Sequence, residues 1–478
     1  MKQASFPSGI LAVFVFSLCY WIYLAATTQM NISFDSIGYE RLGRLLQNQG
    51  FIEYLRTGPN REPLYPLLVM LSMHLEAMSH IAYTKIMAFL CVLILLASQI
   101  LIYTILKELR IRISLCVITL AYFAISPAIN NAAFSLYSEI ATFPLILLVL
   151  LANIKAYQSI QTGSSTNALC AGMYVGFAFC LITFVKGIFE FIFPIFSLLY
   201  LILMLACFIQ GQRKMAINCL LILFAFTACY QIPVISYKLL NKKYNDHYAL
   251  TNRGSWALYA SSARRAEKLT PERLLTALAY IPGKGFCEDT LGRDKCYFWG
   301  IETLDAFGIS KAQEVAKTTP ADLVDQKMMA LSKEKILSNP GQFFLLMGFD
   351  GLKMFFWEST QIGFVSYPPW LQRLYNNHLL KNGWRAIISL LCLSGFAFLI
   401  IFFCKNVTQF LHFNTVNDQR IIDSVLIFIL LSSFIACYAL FDTIPRFALP
   451  IASLELITIA LLAEALINQF HPCSKRGE

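Results

Sequence analysis

Ten runs of predominantly apolar residues, each long enough to cross a bilayer, constrain this chain more than any other feature; they lie near 8–27, 83–106, 113–130, 139–157, 167–185, 188–209, 215–237, 385–404, 421–441 and 447–468. Where there is no water, every backbone N–H and C=O must be satisfied within its own segment, and a helix of about 20 residues does this across the hydrocarbon core. With 57% hydrophobic and 14% charged residues over 478 positions, the chain is too apolar for a soluble globule and too long for a single anchor. The expected fold class is therefore an all-α polytopic membrane protein with about ten transmembrane helices. An even number of spans returns the chain to the side on which it began.

Lysine and arginine in the short loops set the orientation. Lys2, the group Lys107, Arg110 and Arg112, then Lys155, Arg213, Lys214, Lys405, Arg420, Lys475 and Arg476 all fall on one side under this count, which is expected to be cytoplasmic with both termini. The first segment reads as a retained helix rather than a cleaved signal, from its length and its lack of a small-residue cleavage site. The net charge of +10 resides mostly in these loops, so it carries no nucleic-acid inference.

Three parts are expected: an N-terminal transmembrane module over 1–237, a polar helical domain over 238–340, and an interfacial helix with the closing spans over 341–478. The first outer loop, 28–82, carries two short amphipathic segments that suit an interface: 36–48, with Ile37, Leu42, Leu45 and Leu46 near one face, and 63–76, opening at Pro63. In the polar segment, Thr270-Pro271-Glu272 and Thr319-Pro320-Ala321-Asp322 each combine an N-cap threonine, a first-turn proline and an early acid. After the second start, Leu323, Val324, Met328, Leu331 and Leu337 recur at helical spacing up to Asn339-Pro340, which stops the helix. The stretch 341–358 is apolar but holds Asp350 and Lys353, and reads as a surface-lying or re-entrant helix.

Most of the 14 cysteines lie inside spans, where they serve as small hydrophobes. Cys287 and Cys296 alone fall in the polar domain, as a disulfide or as two thiols. No CxxC and no histidine cluster with metal-ligand spacing is present, which argues against a structural zinc.

The chemistry-bearing residues sit at span ends. Asp35, Glu139, Lys186, Asp442 and Arg446 all fall on the outer face under the predicted topology, although more than 400 positions separate the first from the last. Ionisable groups at the membrane edge are costly and by default mark a function. Each also has a structural explanation. Asp35 suits a cap on a helix beginning at Ser36, and Glu139 suits the dipole at a span N-terminus. Lys186 has Glu190 four residues on, and Arg446 has Asp442 as a clamp partner. Arg253-Gly254-Ser255-Trp256 and Trp357-Glu358 are further candidates to line a cavity, with loop packing as the alternative.

Taken in order, several short motifs resemble the GT-C glycosyltransferases: Asp35 after the first span, Arg61-Glu62-Pro63-Leu64-Tyr65-Pro66, Ser138-Glu139, Val185-Lys186-Gly187, and Arg446-Phe447-Ala448-Leu449-Pro450. Within that superfamily the chain most resembles the bacterial members related to protein O-mannosyltransferases and lipid A aminoarabinose transferases. The resemblance implies a bacterial inner-membrane enzyme with its site facing the periplasm. It would transfer a monosaccharide, with inversion, from a polyprenyl-phosphate carrier to a glycan or lipid acceptor. Asp35 and Glu139 are then the catalytic candidates, Asp35 as general base for the acceptor hydroxyl. Arg61, Lys186 and Arg446 are the candidates for the donor phosphate seat. Tyr39, Glu62 and Tyr65 are the candidates for contacts to acceptor or sugar. Relatives include metal-using and metal-free members, so a divalent cofactor is left open by the resemblance and is not indicated by the residues.

Two departures stand out. Asp35 is followed by Ser36, where protein O-mannosyltransferases carry an Asp-Glu pair, which weakens a protein acceptor. Glu62 directly precedes the Pro-Leu turn where the lipid A relatives place a basic residue; Arg61 lies one position earlier, a rotation of about 100° on a helix. The competing class is a multi-span transporter or lipid flippase of the envelope. The sequence lacks the paired halves that many such proteins show.

Overall fold

The structure, a computed structural model, describes residues 7–162, 164–251, 254–320, 323–358, 365–411, 419–441 and 443–470. It is an all-α polytopic membrane protein. Among the described residues nine helices are long and apolar enough to cross a membrane, and a bent pair, counted below as one crossing, brings the number to ten. In order these are Ser8–Thr27, Tyr83–Glu108, the pair Ile113–Ile125 and Pro127–Phe134, then Glu139–Gln161, Ser165–Thr183, Phe189–Ile209, Arg213–Asn245, His378–Leu411, Arg420–Phe441 and Pro445–Gln469. Lys2, Lys475, Arg476, Arg253 and Asp442 lie outside the described residues.

The third crossing corrects a single expected span over 113–130. It breaks by 47° between Ile125 and Pro127. The residue before a proline is pushed out of the helical region, and Ser126 is accordingly at φ −53°, ψ 122°. Pro127 then opens a new helix, with the Ser126 hydroxyl accepting from Ile129 N at 3.3 Å. The freed backbone is satisfied by protein: Glu358 accepts from Ser126 Oγ at 2.8 Å and from Ala128 N at 3.4 Å. Glu358 is thus buried against this break, and neither it nor the buried Trp357 lines the site cavity. Burial pushes the Glu358 carboxyl up to about 7.

Two kinds of contact join the spans. Buried polar groups reach across: Gln99 donates to Ser17 Oγ at 2.7 Å and to Leu120 O at 3.1 Å, and Trp21 donates to Ala124 O at 3.2 Å, tying the first three crossings. Small residues bring backbones close. A Cβ on Gly172 or Gly176 of the fifth crossing would lie 2.6 Å from Ile222 O or Phe226 O of the seventh, the small-xxx-small geometry of helices packed without a hydrophobic driving force. Large apolar side chains such as Phe16, Phe177 and Phe224 remain exposed on the outside of the bundle, as a lipid-facing surface requires.

The basic loops do gather at one end of the bundle. Lys155 pairs with Glu108 at 3.3 Å, Arg112 with Glu464 at 3.1 Å, and Arg420 donates to Leu109 O at 3.1 Å. At the other end, Asp35–Arg56 and Leu64–Ser79 form the two short helices of the first loop. The first bends at Gly50, whose φ of 83° favours glycine. Its buried face is Ser36, Tyr39, Leu42, Gly43 and Leu46, so Ile37, expected near that face, points outward instead.

The polar segment is helical as expected. Thr270 caps Pro271–Ala279 through Arg273 N at 3.2 Å. The later helix is described over Val324–Ser338, with Leu323 N donating to Pro320 O at 2.9 Å, while Ala321 and Asp322 of the expected start lie outside the described residues; Met328 is buried, whereas Leu323 and Leu337 are exposed. Asn339 and Pro340 do divide it from the next helix, Pro340–Lys353. Cys287 and Cys296 form a disulfide that packs with Trp299 and Leu346.

Candidate active site

Five elements deliver charge to one end of the bundle. Asp35 opens the first-loop helix, with Phe34 as its N-cap and no side-chain cap bond. Capping therefore does not account for Asp35. Its carboxylate instead bridges two guanidinium groups, accepting from Arg61 Nη2 at 2.6 Å and from Arg446 Nη2 across 411 positions of sequence. Such charge-assisted bonds are the strong ones.

Glu139 opens the fourth crossing, where the helix dipole favours an acid. It is 2% exposed and accepts from Lys186 Nζ at 3.1 Å, with Arg446 Nε 3.7 Å away. Lys186 thus pairs with Glu139 and leaves Glu190 to Lys238. The reason is local: the sixth crossing begins at Phe189, so Lys186 sits in the preceding turn and shares no helix face with Glu190. Burial alone would drive the Lys186 ammonium down, and Glu139 more than offsets that, holding it above its ordinary value.

The segment carrying Arg61 is fastened to that turn. Glu62 Oε1 accepts from Gly187 N at 2.7 Å, and Leu64 N donates to Phe184 O at 3.0 Å. A Cβ at Gly187 would stand 2.8 Å from Glu62 Oε1, so the glycine permits the close approach. Glu62, read from sequence as an acceptor contact, is engaged here in holding the Lys186 turn. Tyr39 lies under Arg61, its ring centre 5.5 Å from the guanidinium carbon, and its hydroxyl bonds Ser138 Oγ at 2.8 Å. Burial raises that phenol above its usual range. Tyr65 packs edge-on beneath Tyr39 at 4.9 Å and does not reach the cavity lining.

These groups surround a cavity of about 320 Å³. Its polar lining includes Asp35, Arg61, Glu62, Glu139, Lys186 and Arg446, and its apolar lining includes Phe191, Trp256, Leu304, Phe441 and Phe447. Trp256 and Leu304 come from the polar segment, which therefore roofs the site. A larger groove of about 660 Å³ between the first two spans lies at the opposite end, and it is mostly apolar and open to the lipid side.

Reading the sequence missed several participants. Tyr137 stacks under Arg446 at 4.6 Å. Glu190 and Lys238 add a further ion pair, with Tyr248 5.6 Å from the ammonium. The signal for Glu190 and Lys238 was present, since both are charges near the ends of apolar runs. Arg265 is buried and accounts for Asp350, which was expected on a surface helix: its guanidinium donates to Asp350, to Ala439 O at 2.6 Å and to Leu440 O at 3.1 Å. Lys353 completes that buried cluster through Asp350. No protein-family model and no curated protein matches this chain.

Proposed function

We propose that the chain is a membrane glycosyltransferase that moves a monosaccharide from a polyprenyl-phosphate carrier to an acceptor hydroxyl of an envelope glycan or lipid. The observation that carries the reading is the convergence of Asp35, Arg61, Glu139, Lys186 and Arg446, from five separate elements, on one cavity at a span end. Such a reaction needs three things together: a carboxylate for the acceptor proton, cations for the departing phosphate, and an apolar wall for the carrier.

In the reaction the acceptor oxygen attacks the anomeric carbon as Asp35 takes its proton. The bond from that carbon to the carrier phosphate breaks, and its electron pair leaves with the phosphate. Arg61, Lys186 and Arg446 stabilise the charge that develops there. A single displacement inverts the anomeric centre. Glu139 holds Lys186 and Arg446 in place from below.

The site faces the periplasm in this reading, with the basic end cytoplasmic. Support comes from the basic loops gathered at the opposite end and from a disulfide in the roof, which suits an oxidising compartment. A transporter would place its charges near mid-membrane, whereas these stand at helix termini. The test is an in vitro assay with a labelled polyprenyl-phosphate sugar and acceptor extract from the envelope. Asp35→Asn is expected to lose at least about a thousandfold in turnover while inserting normally; unimpaired turnover would refute the assignment.

A further inference from the structure

The carboxylate read as the base is not free to act. Both its oxygens are engaged, one by Arg61 and one by Arg446, and these are the guanidinium groups that the donor phosphate is expected to use. We infer that Asp35 is a displaceable occupant of the anion seat: the carrier's phosphate, a diester while it holds the sugar, takes over Arg61 and Arg446, and this exchange releases the carboxylate toward the acceptor. The inference rests on the glycosyltransferase reading and adds an order of events to it, donor before acceptor.

Three observations support exchange over simple addition. The cavity wall is charge-balanced, with Asp35, Glu62, Glu139 and Glu190 facing Arg61, Lys186, Lys238 and Arg446. With every cation already matched, a phosphate gains Arg61 and Arg446 only where the carboxylate that holds them gives them up. Second, the two acids differ in accessibility. The Asp35 side chain is 36% exposed and that of Glu139 is 2% exposed, while both arginines are 11–13% exposed. Asp35 therefore lies toward the cavity, where an incoming anion meets it first, and Glu139 is the permanent counter-ion behind. Third, the arginines are held without Asp35: Arg61 by Tyr39 beneath it, and Arg446 by Tyr137 and Glu139. The seat survives the departure of its resident carboxylate.

A resident that must leave lowers the apparent affinity for the ligand by the fraction of time the seat is open. Removing Asp35 should then abolish transfer and yet tighten phosphate binding, whereas a group that merely helps to hold the donor would weaken binding when removed. The test uses farnesyl phosphate, which carries the carrier's phosphate without its sugar, with farnesol as the uncharged control, on the purified full chain in detergent micelles. Asp35→Asn is expected to bind farnesyl phosphate at least about tenfold more tightly than wild type, with farnesol unchanged. Its ligand-free form should melt below wild type, because two guanidinium groups lose their shared counter-ion, and farnesyl phosphate should raise its Tm more than it raises that of wild type.

Asp35→Ser and Asp35→Ala make the same deletion at other volumes, and each variant is purified with and without the probe. Recovery that depends on the probe supports exchange; recovery equally poor in both cases counts against it. Equal or weaker binding of farnesyl phosphate by folded variants overturns the exchange and leaves the catalytic reading standing. If farnesyl phosphate binds wild type and variants no better than farnesol, the phosphate seat falls, and the carrier reading with it.

Discussion

Glu139 is the deepest charge of the site, and its removal gives the sharpest test of how the site is held. Its carboxylate is 2% exposed, with Lys186 Nζ at 3.1 Å and Arg446 Nε at 3.7 Å. At an effective dielectric of about 20 these separations correspond to roughly 5 and 4 kcal/mol of attraction. Desolvation of three ions offsets most of that, so the arrangement adds little net stability over an apolar one. Breaking it is another matter. Glu139→Gln strands Lys186, which is 13% exposed, and leaves Arg446 with Asp35 as its remaining carboxylate partner among the described residues, and the expected cost is about 3–5 kcal/mol. Lys186→Met in the same background removes one stranded charge, so the double variant should recover about 2 kcal/mol relative to the sum of the singles. Reversible unfolding in mixed micelles, followed by tryptophan fluorescence on wild type, both singles and the double, measures the coupling. Additivity within about 0.5 kcal/mol, or a Glu139→Gln cost below about 1 kcal/mol, would show that these charges do not act as one unit.

Gly176→Val places a branched side chain where a Cβ already lies 2.6 Å from Phe226 O; it should cost about 3 kcal/mol and be visible in the same unfolding assay. Cys287→Ser with Cys296→Ser opens a loop with a sequence separation of 9, and chain entropy sets the loss at about 2.5 kcal/mol, measurable as earlier proteolysis of the polar segment. His247 and Asp325 pair at 3.2 Å, joining the end of the seventh crossing to the Val324–Ser338 helix. The bond to Asp325 raises His247 above 6.5, so its contribution is complete below that pH and lost as pH rises through the raised value. The bond to His247 lowers Asp325 below 3.8, so its contribution is present above that pH and lost as pH falls through the lowered value. Thermal midpoints should therefore fall between pH 6 and 8 by an amount worth under about 1 kcal/mol, and His247→Asn should flatten that slope.

The spans were legible because hydropathy is a local property and the bilayer imposes one length on all of them. The break at Ser126–Pro127 was legible in principle, since a proline inside an apolar run displaces the residue before it. What composition concealed was the compensation: Glu358 satisfying that break from 232 positions away. The site shows the same division. Charges at span ends identified Asp35, Glu139, Lys186 and Arg446 one at a time. Their pairing was not readable, because it depends on which turn each belongs to. Lys186 and Glu190 have the spacing of a helical pair, yet the helix starts at Phe189 and the pair never forms. Asp35 precedes an evident helix, yet that helix includes it. Gly172 and Gly176 carried a readable small-xxx-small spacing that hydropathy alone passed over.

The polar segment has a part in this chemistry that its own sequence does not announce. Its helix Gly254–Ala266 brings Trp256 to the cavity at one end and Arg265 to the membrane bundle at the other. Arg265 donates to Ala439 O and Leu440 O, carbonyls at the end of the ninth crossing that have no partner further along that helix. It also pairs with Asp350 of the following helix. A fixed cation at a helix C-terminus complements the dipole there, and this helix end leads within a few residues to Arg446. The polar segment is thus fastened to the end of the crossing that precedes the element carrying Arg446. One helix carries both a residue of the cavity lining, Trp256, and the side chain that bonds the end of the ninth crossing, Arg265.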